Sequence, residues 1–199
     1  ETAFQTGIAC VTFWASSYDN LTKRPKTERG VLNELFTSWF SRLAENETVH
    51  REEVRVRAIG EWNDLLGSPA RAAIERVLEA TKFYGGPTLT FLVGYDGDRE
   101  LVAAVHALLK RREGMQPDAH APVTMEDLQA CAWTKDLPDV DLLVRTGSWE
   151  DPHRSANFLP LRTSNVQEVY PKLFWPDFLE SELDAVIADF ASRGRRLGA

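Results

Sequence analysis

The chain has 199 residues, a net charge of −7 and 43% hydrophobic residues. That length is enough for one sizeable α/β core, and the acidic balance excludes a broad nucleic-acid-binding face, which needs a basic surface against a polyanion. No apolar run in the sequence approaches the length of a bilayer span and no signal-peptide pattern is present, so membrane contact is expected to be peripheral at most.

In chain order, the sequence opens at Glu1 without a Met, inside what reads as the end of a helix stopped by Gly7. A further N-terminal piece is expected to precede it. IACVTFWA (8–15) is a continuous β-rich apolar run, read as a fully buried strand. Residues 16–25 read as a polar loop closed by Pro25. From Thr27 to Ala44 the apolar positions Val31, Leu32, Leu35, Phe36, Trp39, Phe40 and Leu43 follow a helical period. VRVRAIG (54–60) alternates like a strand, 68–82 is helical, TLTFLVGY (88–95) is a buried strand and 98–112 another helix. Thr124, with Asp127 three residues on, predicts a capped short helix. DVDLLV (139–144) reads as the fourth strand, 166–170 as a short edge strand stopped by Pro171, and 178–196 as a final amphipathic helix with a basic end.

Strands alternating with helices predict an α/β fold, a central mostly parallel β-sheet flanked by helices, in one domain over residues 1–199. Ligands of such sheets bind beyond the carboxyl ends of the strands. Two loops with unusual chemistry are expected there. The first, 145–157, begins where the fourth strand stops and carries Arg145, Gly147, His153, Arg154, Ser155 and Asn157. Arginine forks grip phosphate oxygens bidentately, and a glycine admits close approach of a ligand to the backbone. Two fixed arginines suit a diphosphate better than a single carboxylate. The same composition would also be met by surface arginines paired with Glu150 and Asp151. The second loop, 16–25, carries Ser17, Asp19, Asn20, Lys23 and Arg24; alone it reads as a helix N-cap, with Asp19 or Asn20 capping, and beside the other loop as a second wall of an anionic-substrate site. There is no P-loop, dinucleotide fingerprint or Cys/His metal spacing. His50, His106 and His120 are scattered and read as structural or exposed. Cys10 and Cys131 sit in apolar-leaning segments, so buried thiols are expected rather than a disulfide, consistent with a cytoplasmic location.

With both loops laid out, the chain resembles the cis-prenyltransferases, the undecaprenyl diphosphate synthase family. GIACVTFWASSYDNLTKRP is similar to the family's Ser-x-x-Asn followed by Arg-Pro, and VRVRAIG and GYDGDRELV fall where the family has its middle strand and its Asn-Tyr-Gly-Gly segment. The stretch DLLVRTG, HRSANFLPL, LFWPDF and SRGRRLG follows the family's order to its end. The resemblance implies condensation of isopentenyl diphosphate with an allylic prenyl diphosphate, Mg2+ as cofactor and a homodimer. It implies that Ser17 and Asn20 help orient substrate and remove its proton. It assigns substrate contacts to Tyr18, Asp19, Arg24, Arg145, His153, Arg154, Ser155 and Asn157. The family's metal-associated glutamate falls on Gln167, whose amide is a poor ligand for a hard cation, while Glu168 beside it would face the other way in a strand.

Other departures accompany it. The family's Asp-Gly-Asn-x-Arg-Trp motif is not in the chain, so the resemblance implies activity only provided that segment exists in the native protein; the segment between Gly147 and His153 is longer, and the serine of Arg-x-Ser-Asn stands one place early at Ser155. The family's Gly-Gly-Arg becomes Gly97-Asp98-Arg99. Phe36, Trp39 and Phe40 read as plain core, but Trp39 and Phe40 lie on the helix that borders the product tunnel in the family, so the resemblance implies a short product. A non-catalytic partner subunit of a heteromeric cis-prenyltransferase is the alternative. The absent aspartate and Gln167 suit it; Asn20, Arg24, Arg145 and Arg154 suit an enzyme.

Overall fold

A computed structural model describes residues 2–113 and 122–193. His120 and the basic tail around Arg195 and Arg196 lie outside the described residues. After a short helix α1 (Thr2–Gln5), strands β1 (Cys10–Ser17), β2 (Arg55–Ile59) and β3 (Thr88–Tyr95) form a parallel sheet in the order β1-β3-β2. Two further strands, β4 (Leu142–Val144) and β5 (Gln167–Val169), pair in parallel as a separate two-stranded sheet.

The central strand β3 is the apolar run that the sequence marks most clearly, and Phe91, Leu92, Val93 and Tyr95 are all buried. One sheet face is covered by α3 (Lys26–Ala44) and α6 (Ser68–Thr81), whose Phe36, Phe40, Ile74 and Val77 meet Phe91 and Val93. Each such side chain contributes about 1.5–3 kcal/mol on burial. The other face buries Ile59, Leu92 and Tyr95 against Leu137 and Leu159. Helices α7 (Gly97–Glu113) and α8 (Met125–Cys131) continue from there, and Thr124 caps α8 in a capping box with Asp127 as its spacing predicts. The chain ends on α9 (Glu180–Ser192).

Four expectations are corrected. First, β1 is not fully buried: among the described residues it pairs with β3 alone, and only its Ser16 is buried. Second, residues 18–22 are not loop but helix α2 (Tyr18–Thr22), opened by a capping box between Ser17 and Asn20. Third, the fourth strand starts only at Leu142, because the Val140 N–H is engaged by the Arg162 carbonyl at 2.7 Å. Fourth, the sequence pattern missed two single-turn helices, α4 (Glu47–Arg51) and α5 (Trp62–Leu65), too short to show a period.

The described histidines are structural or exposed as expected, and the cysteines are unpaired but less buried than expected. His50 bridges Tyr84 Oη at 2.7 Å and the Ala44 carbonyl at 2.8 Å, and His106 is exposed. Both cysteines are free and part-buried, and burial pushes the Cys10 thiol up.

Candidate active site

The carboxyl ends of β1, β2 and β3 bring three turns together. Between Trp14 and Ser16 the β1 register slips by one residue against β3, a bulge that re-aims the strand's last two side chains. The buried Ser16 hydroxyl then accepts from the Gly94 N–H at 3.0 Å, fixing the end of β1 to β3. Ser17 Oγ accepts from the Asn20 N–H at 3.0 Å, and Asn20 Oδ1 accepts from the Ser17 N–H, also at 3.0 Å. The two residues are therefore brought into direct contact. The box uses only acceptors of these side chains, leaving the Ser17 O–H and the Asn20 amide protons for an oxygen-rich ligand.

The rest of this wall is held by ion pairs. Asp19 accepts from Lys23 Nζ at 2.9 Å, and Arg24 Nη1 donates to Glu28 at 3.2 Å across an exposed helix face. An exposed pair of this kind contributes at most about 1 kcal/mol, so it holds Arg24 only weakly. The Tyr18 ring lies 3.8 Å from the Arg99 guanidinium, which in turn grips Glu61 through Nε at 2.5 Å and Nη2 at 2.8 Å. Glu61 beside Arg99 drives the guanidinium still further up from its ordinary value.

The second wall follows β4. Arg145 Nη1 donates to the His153 carbonyl at 2.5 Å, and its Nη2 lies 3.3 Å from His153 Nε2. That contact folds the 146–153 segment back on itself. His153 Nδ1 is in turn 2.7 Å from the Asp151 carbonyl. Gly147, at φ +73°, has no room to spare: a Cβ there would come within 3.3 Å of the Phe174 ring, on which Trp149 also packs with centroids 5.3 Å apart. Arg154 pairs with Glu168 of β5, not with Glu150 or Asp151, through Nε at 2.7 Å and through Nη2, while its Nη1 reaches Thr163 Oγ1 at 3.0 Å. Arg154, then the Tyr170 hydroxyl, holds the Glu168 carboxyl below its ordinary range. Ser155 is part-buried, and Asn157 Nδ2 donates to Asp98 Oδ1 at 2.8 Å.

Gln167 stands on β5 with its Oε1 3.4 Å from Arg193 Nη1. A guanidinium beside a neutral amide does not fit a divalent cation, and no cluster of three or more acidic, His or Cys side chains is present among the described residues. Of the expected site residues, Ser17 meets Asn20, Arg145 meets His153, and Tyr18 and Asn157 both reach the first turn of α7. Sequence reasoning missed Glu61, Thr163 and Glu168, which hold the site from strands and turns distant in the chain. The one available signal was Glu168 itself, set aside for its strand parity. Phe40 is fully buried in edge-to-face contact with Phe91, as a core aromatic, while Trp39 remains 36% exposed.

Comparison with known proteins identifies the family. The undecaprenyl diphosphate synthase family of prenyltransferases matches residues 1–198. A tritrans,polycis-undecaprenyl-diphosphate synthase (geranylgeranyl-diphosphate specific) of Methanopyrus kandleri is 33% identical over 200 residues, covering 100% of this chain and 71% of its own. An isoprenyl transferase of Thermus thermophilus is 33% identical over 201 residues, covering 100% of this chain and 74% of its own. The crystal structure of lavandulyl diphosphate synthase from Lavandula x intermedia, in complex with dimethylallyl diphosphate, superposes with a TM-score of 0.88 at 24% identity, over 100% of this chain and 82% of that one, and so shares the fold. On these matches along its whole length, the chain belongs to the undecaprenyl diphosphate synthase family, the cis-prenyltransferases.

Proposed function

We propose that residues 1–199 form one cis-prenyltransferase domain, condensing isopentenyl diphosphate with an allylic prenyl diphosphate to give a short-chain prenyl diphosphate. The observation that carries this reading is the meeting of two cation-bearing walls, 17–24 and 145–157, on the first turn of α7 at the carboxyl edge of the parallel strands. Arg145, His153, Arg154, Ser155 and Asn157 are the wall for the diphosphate of isopentenyl diphosphate. Ser17, Tyr18, Asp19, Asn20 and Arg24 are the wall facing the reacting carbons. In the reaction the allylic carbon–oxygen bond breaks, a carbon–carbon bond forms, diphosphate leaves and isopentenyl diphosphate loses a proton. Fixed guanidinium groups stabilise the leaving diphosphate without reorganising, and holding both substrates in register supplies proximity.

Mg2+ belongs to the proposal through the resemblance; the described residues alone do not assemble a site for it. Homodimerisation and a cytoplasmic location are further parts of the proposal. Two free cysteines support the location, and no described helix is long and apolar enough to cross a membrane. The synthase and transferase names of relatives matched along the whole chain favour the catalytic reading over a partner subunit. Calorimetric titration with isopentenyl diphosphate tests the site directly. Binding that weakens about tenfold or more in Arg145→Ala supports it, since a charge-assisted pair contributes about 1.5–3 kcal/mol. Equal affinity in the variant contradicts it.

A further inference from the structure

The first turn of α7 touches both candidate walls yet has no role in either. Its own geometry is fixed from β3: Asp96 Oδ1 accepts from the Asp98 N–H at 3.0 Å and from the Arg99 N–H at 3.1 Å. Outward from this cap, Arg99 ties down the first wall, its guanidinium stacked on Tyr18 and forked onto Glu61. Tyr18 follows Ser17 directly and opens α2, so its contact with Arg99 anchors the turn that carries the Ser17–Asn20 box. On the other side the Gly97 N–H donates to the Ala156 carbonyl at 2.9 Å, and Asp98 Oδ1 accepts from Asn157. The approach is close enough that a Cβ on Gly97 would fall 1.8 Å from the Asn157 carbonyl oxygen.

One further feature marks this junction. Ala156, Asn157 and Leu159 all adopt positive φ, at 47°, 44° and 50°, a conformation that L-residues keep only where the surroundings over-determine it.

We propose that Asp98 and Arg99 are positioning residues whose turn sets the separation of the two diphosphate walls, so that they govern turnover more than the binding of either substrate. The inference rests on the prenyltransferase reading. Neither side chain touches substrate in that reading; each acts through Asn157 or Tyr18. Misplacing one wall by about 1 Å is enough to lower turnover on the order of a hundredfold.

The test measures Asp98→Gly, Asp98→Asn and Arg99→Gln in the full chain, by turnover with isopentenyl diphosphate and an allylic diphosphate, by calorimetric affinity for each, and by amide hydrogen exchange. In Asp98→Gly, kcat is expected to fall at least about tenfold while each dissociation constant shifts less than about threefold. Asp98→Asn keeps an acceptor for Asn157 and is expected to restore kcat. Amides 153–157 should exchange faster in Asp98→Gly, and amides 17–22 faster in Arg99→Gln. Unchanged kcat in Asp98→Gly overturns the inference, as does failure of Asp98→Asn to rescue, or a loss fully accounted for by unfolding at the assay temperature. Exchange does not depend on turnover: unchanged exchange in both variants overturns the inference even in an inactive protein. A wild type that binds neither diphosphate, with exchange responding as expected, overturns the prenyltransferase reading instead.

Discussion

Arg154 and Glu168 are locked together, the guanidinium offering Nε at 2.7 Å and Nη2 to one carboxylate oxygen while Tyr170 donates to the other. This pairing joins the 145–157 loop to β5 and makes Arg154 a fixed cation. It also takes the one carboxylate beside Gln167 out of reach of a metal ion. Arg154 is therefore part of the scaffold as well as of the proposed site, and its pairing with Glu168 is sensitive to acid.

The Glu168 carboxyl sits below its ordinary value of 4.5, chiefly through Arg154 and then Tyr170. A depressed carboxyl stabilises the fold above the unfolded-state value and loses that contribution as acid protonates it through the depressed one. Glu168→Gln is expected to be less stable than wild type by about 1–2 kcal/mol near neutral pH, a figure reduced for the pair's partial exposure. The difference should close as pH falls through the carboxyl's depressed value. Thermal melts of both proteins across that acidic window check the prediction; a pH-independent gap refutes it.

Glu100 is fully buried and accepts from the Thr134 N–H at 2.8 Å, the Thr134 hydroxyl at 2.6 Å and the Tyr95 hydroxyl at 2.5 Å. Burial, followed by the Glu100 charge, drives the Tyr95 hydroxyl far up, so it remains a donor at any working pH. Removing that donor in Tyr95→Phe is expected to cost about 1–3 kcal/mol, because the carboxylate loses a bond that nothing replaces. Urea denaturation measures it, and a cost near zero means that water takes the donor's place.

Ser17 is both a helix cap and a proposed active-site residue. Ser17→Ala is expected to lose about 1 kcal/mol of stability with the cap. Ser17→Asp retains an acceptor for the Asn20 N–H and should recover that stability without recovering turnover. Activity that simply follows the melting temperature across the two variants would reduce Ser17 to a cap.

Trp39 stacks edge-on to Phe91 with centroids 4.7 Å apart, and Phe13 continues the aromatic row from Phe91 to Trp175. On the prenyltransferase reading, replacing Trp39 by Ala removes a bulky, part-exposed ring from α3 and is expected to lengthen the products. Chromatography of the dephosphorylated products reads this, and an unchanged profile removes Trp39 from chain-length control.

The long elements were legible because their patterns are continuous. β3 is an unbroken apolar run with both faces covered, and the period of 68–82 matches α6 to within a residue at its end. Short elements were not: five residues of α2 carry no period, although Ser17 and Asn20 spell its capping box. In the site, the cations were readable and their partners were not. Arg154 stands 14 residues from Glu168, and Asn157 stands 59 from Asp98, so only the pairing of β4 with β5 and the packing of α7 bring them together. Parity reasoning correctly placed Gln167 and Glu168 on opposite sides of β5, but gave no sign that an arginine waits for the carboxylate.

The most direct measurement is incorporation of isopentenyl diphosphate by the full-length protein, with any native segment that precedes Glu1, using C5, C10 and C15 allylic diphosphates in turn, with and without Mg2+. The account predicts a prenyl diphosphate lengthened by cis-linked five-carbon units with at least one of these partners, and loss of that product in Arg145→Ala. Absence of product with every partner, together with a gain in turnover when the chain is mixed with an active cis-prenyltransferase, would contradict it.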